Sequence, residues 1–292
     1  MFYYFNSDKI SPIYYEDFDY NEGRVLNMEE YLKNNLDLWN ELTPIHALST
    51  FYDVEGFKKG MSTLDSIELE EVGDVTGKSL LHLQCHFGMD TLSWGRLGAK
   101  ATGVDFSDKA ITLARNLSKE TGVNTDFICT DIYKLPEVLS KKFDIVFTSH
   151  GVLCWLTDLD RWAEVIAHFL KPGGFFYIIE GHPFMMVFDD KDSRGLKVRY
   201  SYFDNPQPEK WESEHDYADK DVIITHPSYE WPHSLSAIVT SLINAGLKIE
   251  FLHEFPDIAY KKFPFMDEYK PRHWNIKGDM IPLTFSLKAT KY

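Results

Sequence analysis

The chain of 292 residues carries 30 basic and 45 acidic side chains, a formal net charge of −15. Its 44% apolar and 26% charged composition is that of a globular protein and excludes disorder. The length admits one large domain or two small ones at roughly 100–200 residues each. So acidic a balance speaks against nucleic-acid or anionic-membrane surfaces, because phosphates need Lys and Arg.

Three widely spaced cysteines, Cys85, Cys129 and Cys154, form neither a disulfide framework nor a zinc spacing. No metal is expected, and a reducing, cytoplasmic setting is. The opening residues Met1–Asp8 lack a basic start and a long apolar run, and no stretch of about 18 apolar residues follows, so neither a signal peptide nor a membrane span is expected.

Residues 1–75 read as an N-terminal helical cap. Tyr14, Tyr15, Phe18 and Tyr20 alternate with acids, Asn27-Met28-Glu29-Glu30 is a capping box, and Met28, Leu32, Leu36 and Trp39 follow at helical spacing. Residues 76–292 form the main domain. Apolar runs at 79–84, 101–105, 126–131, 143–149 and 175–180 predict five strands. Between them, helices are expected over 90–97, over 108–119 behind Ser107, and after Thr157-x-x-Asp160; Lys171-Pro172-Gly173-Gly174 turns into the fifth strand. That alternation gives right-handed βαβ units and a parallel sheet, a Rossmann-like α/β fold.

An insertion at 183–230 breaks the rhythm, with 196–203 and 221–229 expected to pair as a hairpin. A helix from Ser234 to Ala245, a strand at 248–254 and a clean alternation at 282–289 close the chain. A second insertion, 255–281, is rich in Phe, Tyr and Trp and too long for a bare connector.

In an open parallel sheet, ligands bind at the carboxyl ends of the strands. Asp105 ends the second strand 17 residues after Gly88, and Asp131 ends the third. A carboxylate at the first position can accept both hydroxyls of a ribose, and one at the second an exocyclic amine of adenine. Phe106, Ile132 and Ser149 stand at the same level.

Leu80–Gly88, Gly103-Val104-Asp105, Thr130-Asp131, Phe143–Val146 and Leu170–Gly174 resemble, in order and spacing, the motifs of class I S-adenosylmethionine-dependent methyltransferases. The likeness covers about residues 75–182. The closing helix, strand, long loop and strand match that family's reversed last strand, which implies a seven-stranded mixed sheet of order 3-2-1-4-5-7-6. The first motif, His-Leu-Gln-Cys-His-Phe-Gly, is similar to that of a bacterial branch of small-molecule methyltransferases. The resemblance implies S-adenosyl-L-methionine as cofactor, held by Gln84, Cys85, His86, Phe87, Gly88, Asp105, Phe106, Asp131, Ile132 and Ser149. His82 stands where the family has an acid, and Gln84 and His86 where it has glycines, so the loop is reshaped.

Methyl transfer is an in-line displacement governed by positioning, with a base needed only if the acceptor must lose a proton. The candidates at the cleft are His150, Glu180 and His182. The cap and insertions are expected to close over an aromatic-lined pocket, with Tyr14, Trp39, His46 and Trp231 near a small-molecule substrate. No nucleic acid or membrane partner is expected, and the chain is taken as a monomer or homodimer. A binding module without turnover and a nucleotide-cofactor oxidoreductase remain as alternatives. Against the second, Asp90 at a helix start would repel a pyrophosphate.

Overall fold

The computed structural model describes residues 27–212, 216–219 and 222–292. Three helices lead: α1 (Met28–Leu48), α2 (Val54–Lys58) and α3 (Ser66–Val72). The Asn27–Glu30 capping box forms as expected and satisfies two orphan amides reciprocally. A second box, Asp65 with Glu68, starts α3.

From residue 79 the alternation unfolds as β1 (Ser79–Leu83), α4 (Met89–Arg96), β2 (Lys100–Asp105), α5 (Asp108–Thr121), β3 (Asp126–Cys129), α6 (Leu135–Val138), β4 (Phe143–Ser149), α7 (Leu159–Phe169) and β5 (Leu170–Gly181). The insertion carries β6 (Glu209–Trp211) and β7 (Ser228–Glu230). Then come α8 (Leu235–Asn244), β8 (Leu247–Phe255), β9 (Asp257–Ile258), β10 (Asp267–Lys270), β11 (His273–Asn275) and β12 (Thr284–Lys291).

The central sheet has seven strands in the order β3-β2-β1-β4-β5-β12-β8. Counting its own strands alone, this is 3-2-1-4-5-7-6, with β12 antiparallel to both neighbours. Period-two alternation splits the core between two faces. Leu81, Leu83, Val146, Phe176 and Ile178 pack under α7 and α8 with Trp162, Ile166, Phe169, Ile238 and Leu242. Their sequence neighbours Leu80, Ile145, Phe147, Tyr177 and Ile179 meet Trp94, Val72 and Leu64 on the opposite face.

Three local expectations need correction. The hairpin forms between 209–211 and 228–230, not 196–203 and 221–229; Val198 makes only an isolated bridge to Phe188. Asp158, not Thr157, caps α7 by accepting from the Arg161 amide. Pro172-Gly173-Gly174 lies inside β5, where a register shift against β4 absorbs it.

The insertions and the helical segment are tied together by side chains. Asn35, 2% exposed on α1, donates to Tyr229 O and accepts from Tyr229 N, which fixes β7 to the helix. Glu41 of α1 accepts from Thr225 and pairs with His226. Asn40 bridges to Ser107 and Asp108 at the start of α5. The small sheet β10-β11-β9 docks on α3 through His273, which sits between Asp65 and Asp257.

Candidate active site

The loop after β1 keeps the backbone shape of a glycine turn although two of its positions carry side chains. Gln84, His86 and Gly88 have φ of 55°, 50° and 79°. A left-handed conformation costs an L-residue roughly 1–2 kcal/mol. Gly88 is required twice over, since a Cβ there would stand 2.5 Å from the Phe127 ring. The loop is held by Cys85 N donating to Val104 O and by His86 N donating to Asp105 Oδ2 at 2.8 Å. Asp105 Oδ1 accepts from Ser107 N at 2.9 Å.

Asp105 therefore braces both the loop and the start of α5, and each oxygen keeps a second lone pair for a hydroxyl. It is 7% exposed, and burial pushes its carboxyl up to about 6. Asp131 caps the turn after β3 through Tyr133 N. Ile132 is buried in the core beneath, Phe106 is half-buried at the tip of β2, and Cys129 is exposed at the tip of β3.

His82 is buried, and burial drives it down to about 4, so it is neutral at physiological pH. Its Nδ1 pairs with Thr91 Oγ1 and its Nε2 lies 3.4 Å from Ser149 Oγ. Ser149 Oγ donates to Asp90 Oδ2, and Thr63 Oγ1 to Asp90 Oδ1. The negative charge absent at position 82 is thus supplied one turn on, from the first turn of α4. Asp90, singled out in the sequence only for its place at a helix start, is the carboxylate that ties Thr63 and Ser149 to this face of the loop.

Gln84 donates to Val152 O, while its Oε1 is buried and has no partner among the described residues. An unpaired buried acceptor costs free energy unless a ligand satisfies it. An acceptor there, with Asp90 nearby and Asp105 beyond, suits a ligand with a cationic amine at one end and a ribose at the other. The residues present fit S-adenosylmethionine on this count.

The expected proton-transfer groups fare differently. Glu180 does not face the cleft as a free base: Oε1 accepts from Gly151 N and Gly181 N, and Oε2 from Val152 N and Leu153 N. It braces the loop after β4. His182 likewise has both ring nitrogens engaged, Nδ1 by Phe184 N and Nε2 by Glu254. His150 is exposed at the tip of β4 with φ of 23°.

A second cluster packs against the loop after β1 from α1 and the 183–230 insertion. Trp39 lies with its ring centroid 5.1 Å from His86 and 5.4 Å from Trp155. His46, fully buried, stands 3.0 Å from His86 through Nδ1 and within 3.1 Å of Asp216 through Nε2. Tyr52 stacks on His46 and shares a 2.5 Å hydrogen bond with Tyr217. Trp39 and His46 are thus brought to the loop. Trp231 is buried farther along, edge-on to Tyr31, with its amide donating to Cys154 O. Tyr14 lies outside the described residues. Tyr52, Asp216 and Tyr217 join the cluster without having been assigned to it from sequence, because only the fold brings these segments together.

Residues 81–178 match the methyltransferase domain family. Ubiquinone biosynthesis O-methyltransferases are similar: that of Pseudoalteromonas translucida is 29% identical over 150 residues, 49% of this chain and 63% of the relative. That of Xanthomonas euvesicatoria is 28% identical over 157 residues, 52% of this chain and 65% of the relative. The match therefore spans less than two thirds of either curated relative. An S-adenosylmethionine-dependent methyltransferase structure from Mesorhizobium loti superposes with a TM-score of 0.53 at 20% identity, covering 75% of this chain and 93% of that one, a likeness of fold. With the sheet order, these matches show that residues 81–178 carry a methyltransferase domain on a Rossmann-like fold.

Proposed function

We propose that the chain transfers a methyl group from S-adenosyl-L-methionine to a small molecule held beneath the α1 cap. The observation that carries this is the loop 84–88, whose strained backbone, unpaired Gln84 acceptor and Asp105 brace form one cofactor cradle. When bound, the sulfonium supplies an electrophilic methyl carbon. Asp105 would accept from the ribose hydroxyls, Asp131 and Phe106 would border the adenine, and Gln84 with Asp90 would receive the ammonium end.

The chain's own contribution is then orientation and exclusion of water. Trp39, Trp155, Tyr52 and Tyr217 supply apolar walls for an acceptor with an apolar or aromatic body. Residues 1–75 with the insertions 183–230 and 255–281 act as the lid, and 76–292 as the catalytic domain. The charge of −15 suits a small acceptor and no nucleic acid. No described helix is long and apolar enough to cross a membrane. The free cysteines suit a cytoplasmic monomer or homodimer.

Calorimetry with S-adenosylhomocysteine and with NAD tests the cofactor. Binding of the first alone is expected, and Asp105→Ala should weaken it about 10- to 100-fold through loss of charge-assisted hydrogen bonds. Tritium transfer from methyl-labelled S-adenosylmethionine into the small-molecule fraction of a cell extract tests turnover. Binding without any transfer would favour a silent binding module. Deleting residues 1–40 should abolish transfer with cofactor binding largely kept; full transfer by the shortened chain would remove the lid.

A further inference from the structure

The substituted first loop places a histidine where close backbone approach is usual, and that histidine ends a buried chain of three side chains. Asp216 comes from the insertion, His46 from α1 and His86 from the cofactor loop, three segments far apart in sequence. Asp216 is 4% exposed and His46 fully buried.

With both imidazoles neutral, donor and acceptor counting places the protons in this chain. Ionised Asp216 can only accept. It takes one bond from Ala218 N through Oδ2 and faces His46 Nε2 with both oxygens, so His46 Nε2 carries the hydrogen. In that neutral arrangement the Nδ1 of His46 holds a lone pair. That lone pair meets His86 Nε2 at 3.0 Å, so His86 Nε2 is the donor and His86 Nδ1 is bare. Among the described residues, His86 Nδ1 makes no hydrogen bond, and the residue is half-buried at the cleft. The arrangement is a base, an orienting group and an anion behind it, the logic of an activated proton acceptor.

We propose that Asp216, His46 and His86 form a proton relay in which His86 Nδ1 is the general base for the methyl acceptor. This rests on the methyl-transfer reading and deepens it: the acceptor atom is an oxygen, nitrogen or sulfur that carries an ionisable hydrogen. His86 Nδ1 takes the proton from X–H. The pair left on X forms the bond to the methyl carbon, the carbon–sulfur bond breaks with its pair on sulfur, and the thioether leaves neutral. The imidazolium is stabilised by His46 and Asp216 until its proton passes to water.

Burial, and then the neighbouring His46, hold His86 well below the usual histidine range. It therefore keeps its Nδ1 lone pair at neutral pH. The titratable groups facing the pair are His46 and Tyr52 from the cap, Asp216 and Tyr217 from the insertion, and Asp105 beneath the loop. Trp39 packs edge-on against both imidazoles and shields them.

Three readouts on the full chain test the relay. Nitrogen-15 histidine spectra should show His46 and His86 both protonated at Nε2 and bare at Nδ1; a hydrogen on His86 Nδ1 overturns the proposal. Diethyl pyrocarbonate should modify His86, more slowly in Asp216→Asn and not at all with S-adenosylhomocysteine and the cap closed; an inert His86 overturns it. His86→Gly suits the left-handed backbone at this position, so it should fold and still bind S-adenosylhomocysteine, its affinity being read beside each activity. Tritium transfer into the extract should drop about 100-fold or more at neutral pH and recover in part with added imidazole or raised pH. Full transfer by His86→Gly sinks the relay. No S-adenosylhomocysteine binding by the unaltered chain sinks the methyl-transfer reading instead, whatever the tautomers prove to be.

Discussion

The two walls of the cleft are built by different means. The wall proposed for the cofactor is backbone, shaped by one strand end and its turn, with Asp105 tying two amides in place. The cap wall is side chain, assembled from Trp39, His46, Tyr52, Trp155, Asp216 and Tyr217 on four separate segments. A backbone wall has few solutions, and sequence motifs therefore survive in it. A side-chain wall is fixed by packing across the fold, and its composition can change with the acceptor without disturbing the sheet.

Substitutions should separate these walls. Gly88→Ala strikes the backbone wall hardest: positive φ and a Cβ 2.5 Å from Phe127 together should cost about 3–4 kcal/mol in chemical unfolding. A cost below about 1 kcal/mol would mean the turn relaxes freely and the contrast is false.

Asp105→Asn comes next. The raised Asp105 contributes stability below its unfolded value that is lost as pH rises through about 6. The depressed His82 does the opposite, contributing stability above its unfolded value that is lost as pH falls through about 4. Between those values the two slopes offset. Asp105→Asn leaves the His82 slope uncovered, so stability should climb by up to about 3 kcal/mol from pH 4 to 6.5. Unfolding curves at four pH values would read it; a flat profile in the variant removes the pairing.

On the other wall, Asn35→Ala should cost about 2 kcal/mol by orphaning both polar groups of Tyr229. Amide exchange should rise in α1 and β7 while S-adenosylhomocysteine affinity holds. A matching loss of affinity would join the walls into one unit. The smallest effect belongs to Glu41→Gln, which weakens a partly exposed clasp to Thr225 and His226 by about 1 kcal/mol or less.

The same contrast explains what the sequence disclosed. All seven sheet strands, the α1 capping box and Ser107 at the start of α5 were legible because each depends on neighbours within a few residues. So was the position of Asp105. The 196–203 pairing failed because alternation says which segment can be a strand but not which edge it meets. Glu180 and His182 looked reactive by residue type and place, yet backbone amides and Glu254 occupy them. His46 meets the loop after β1, but its partners lie 40 and 170 residues away, beyond any local pattern.

The left-handed Gln84 and His86 have a consequence for anyone improving this protein in the laboratory. Glycine at either position would relieve roughly 1–2 kcal/mol of backbone strain and return about 0.5–1 kcal/mol through the looser unfolded chain. A screen that rewards heat resistance alone would therefore drift toward glycine there. It would enrich sturdier variants while erasing the Gln84 and His86 side chains. Selection for robustness and selection for turnover pull this loop in opposite directions, and a library built on it needs both pressures applied together.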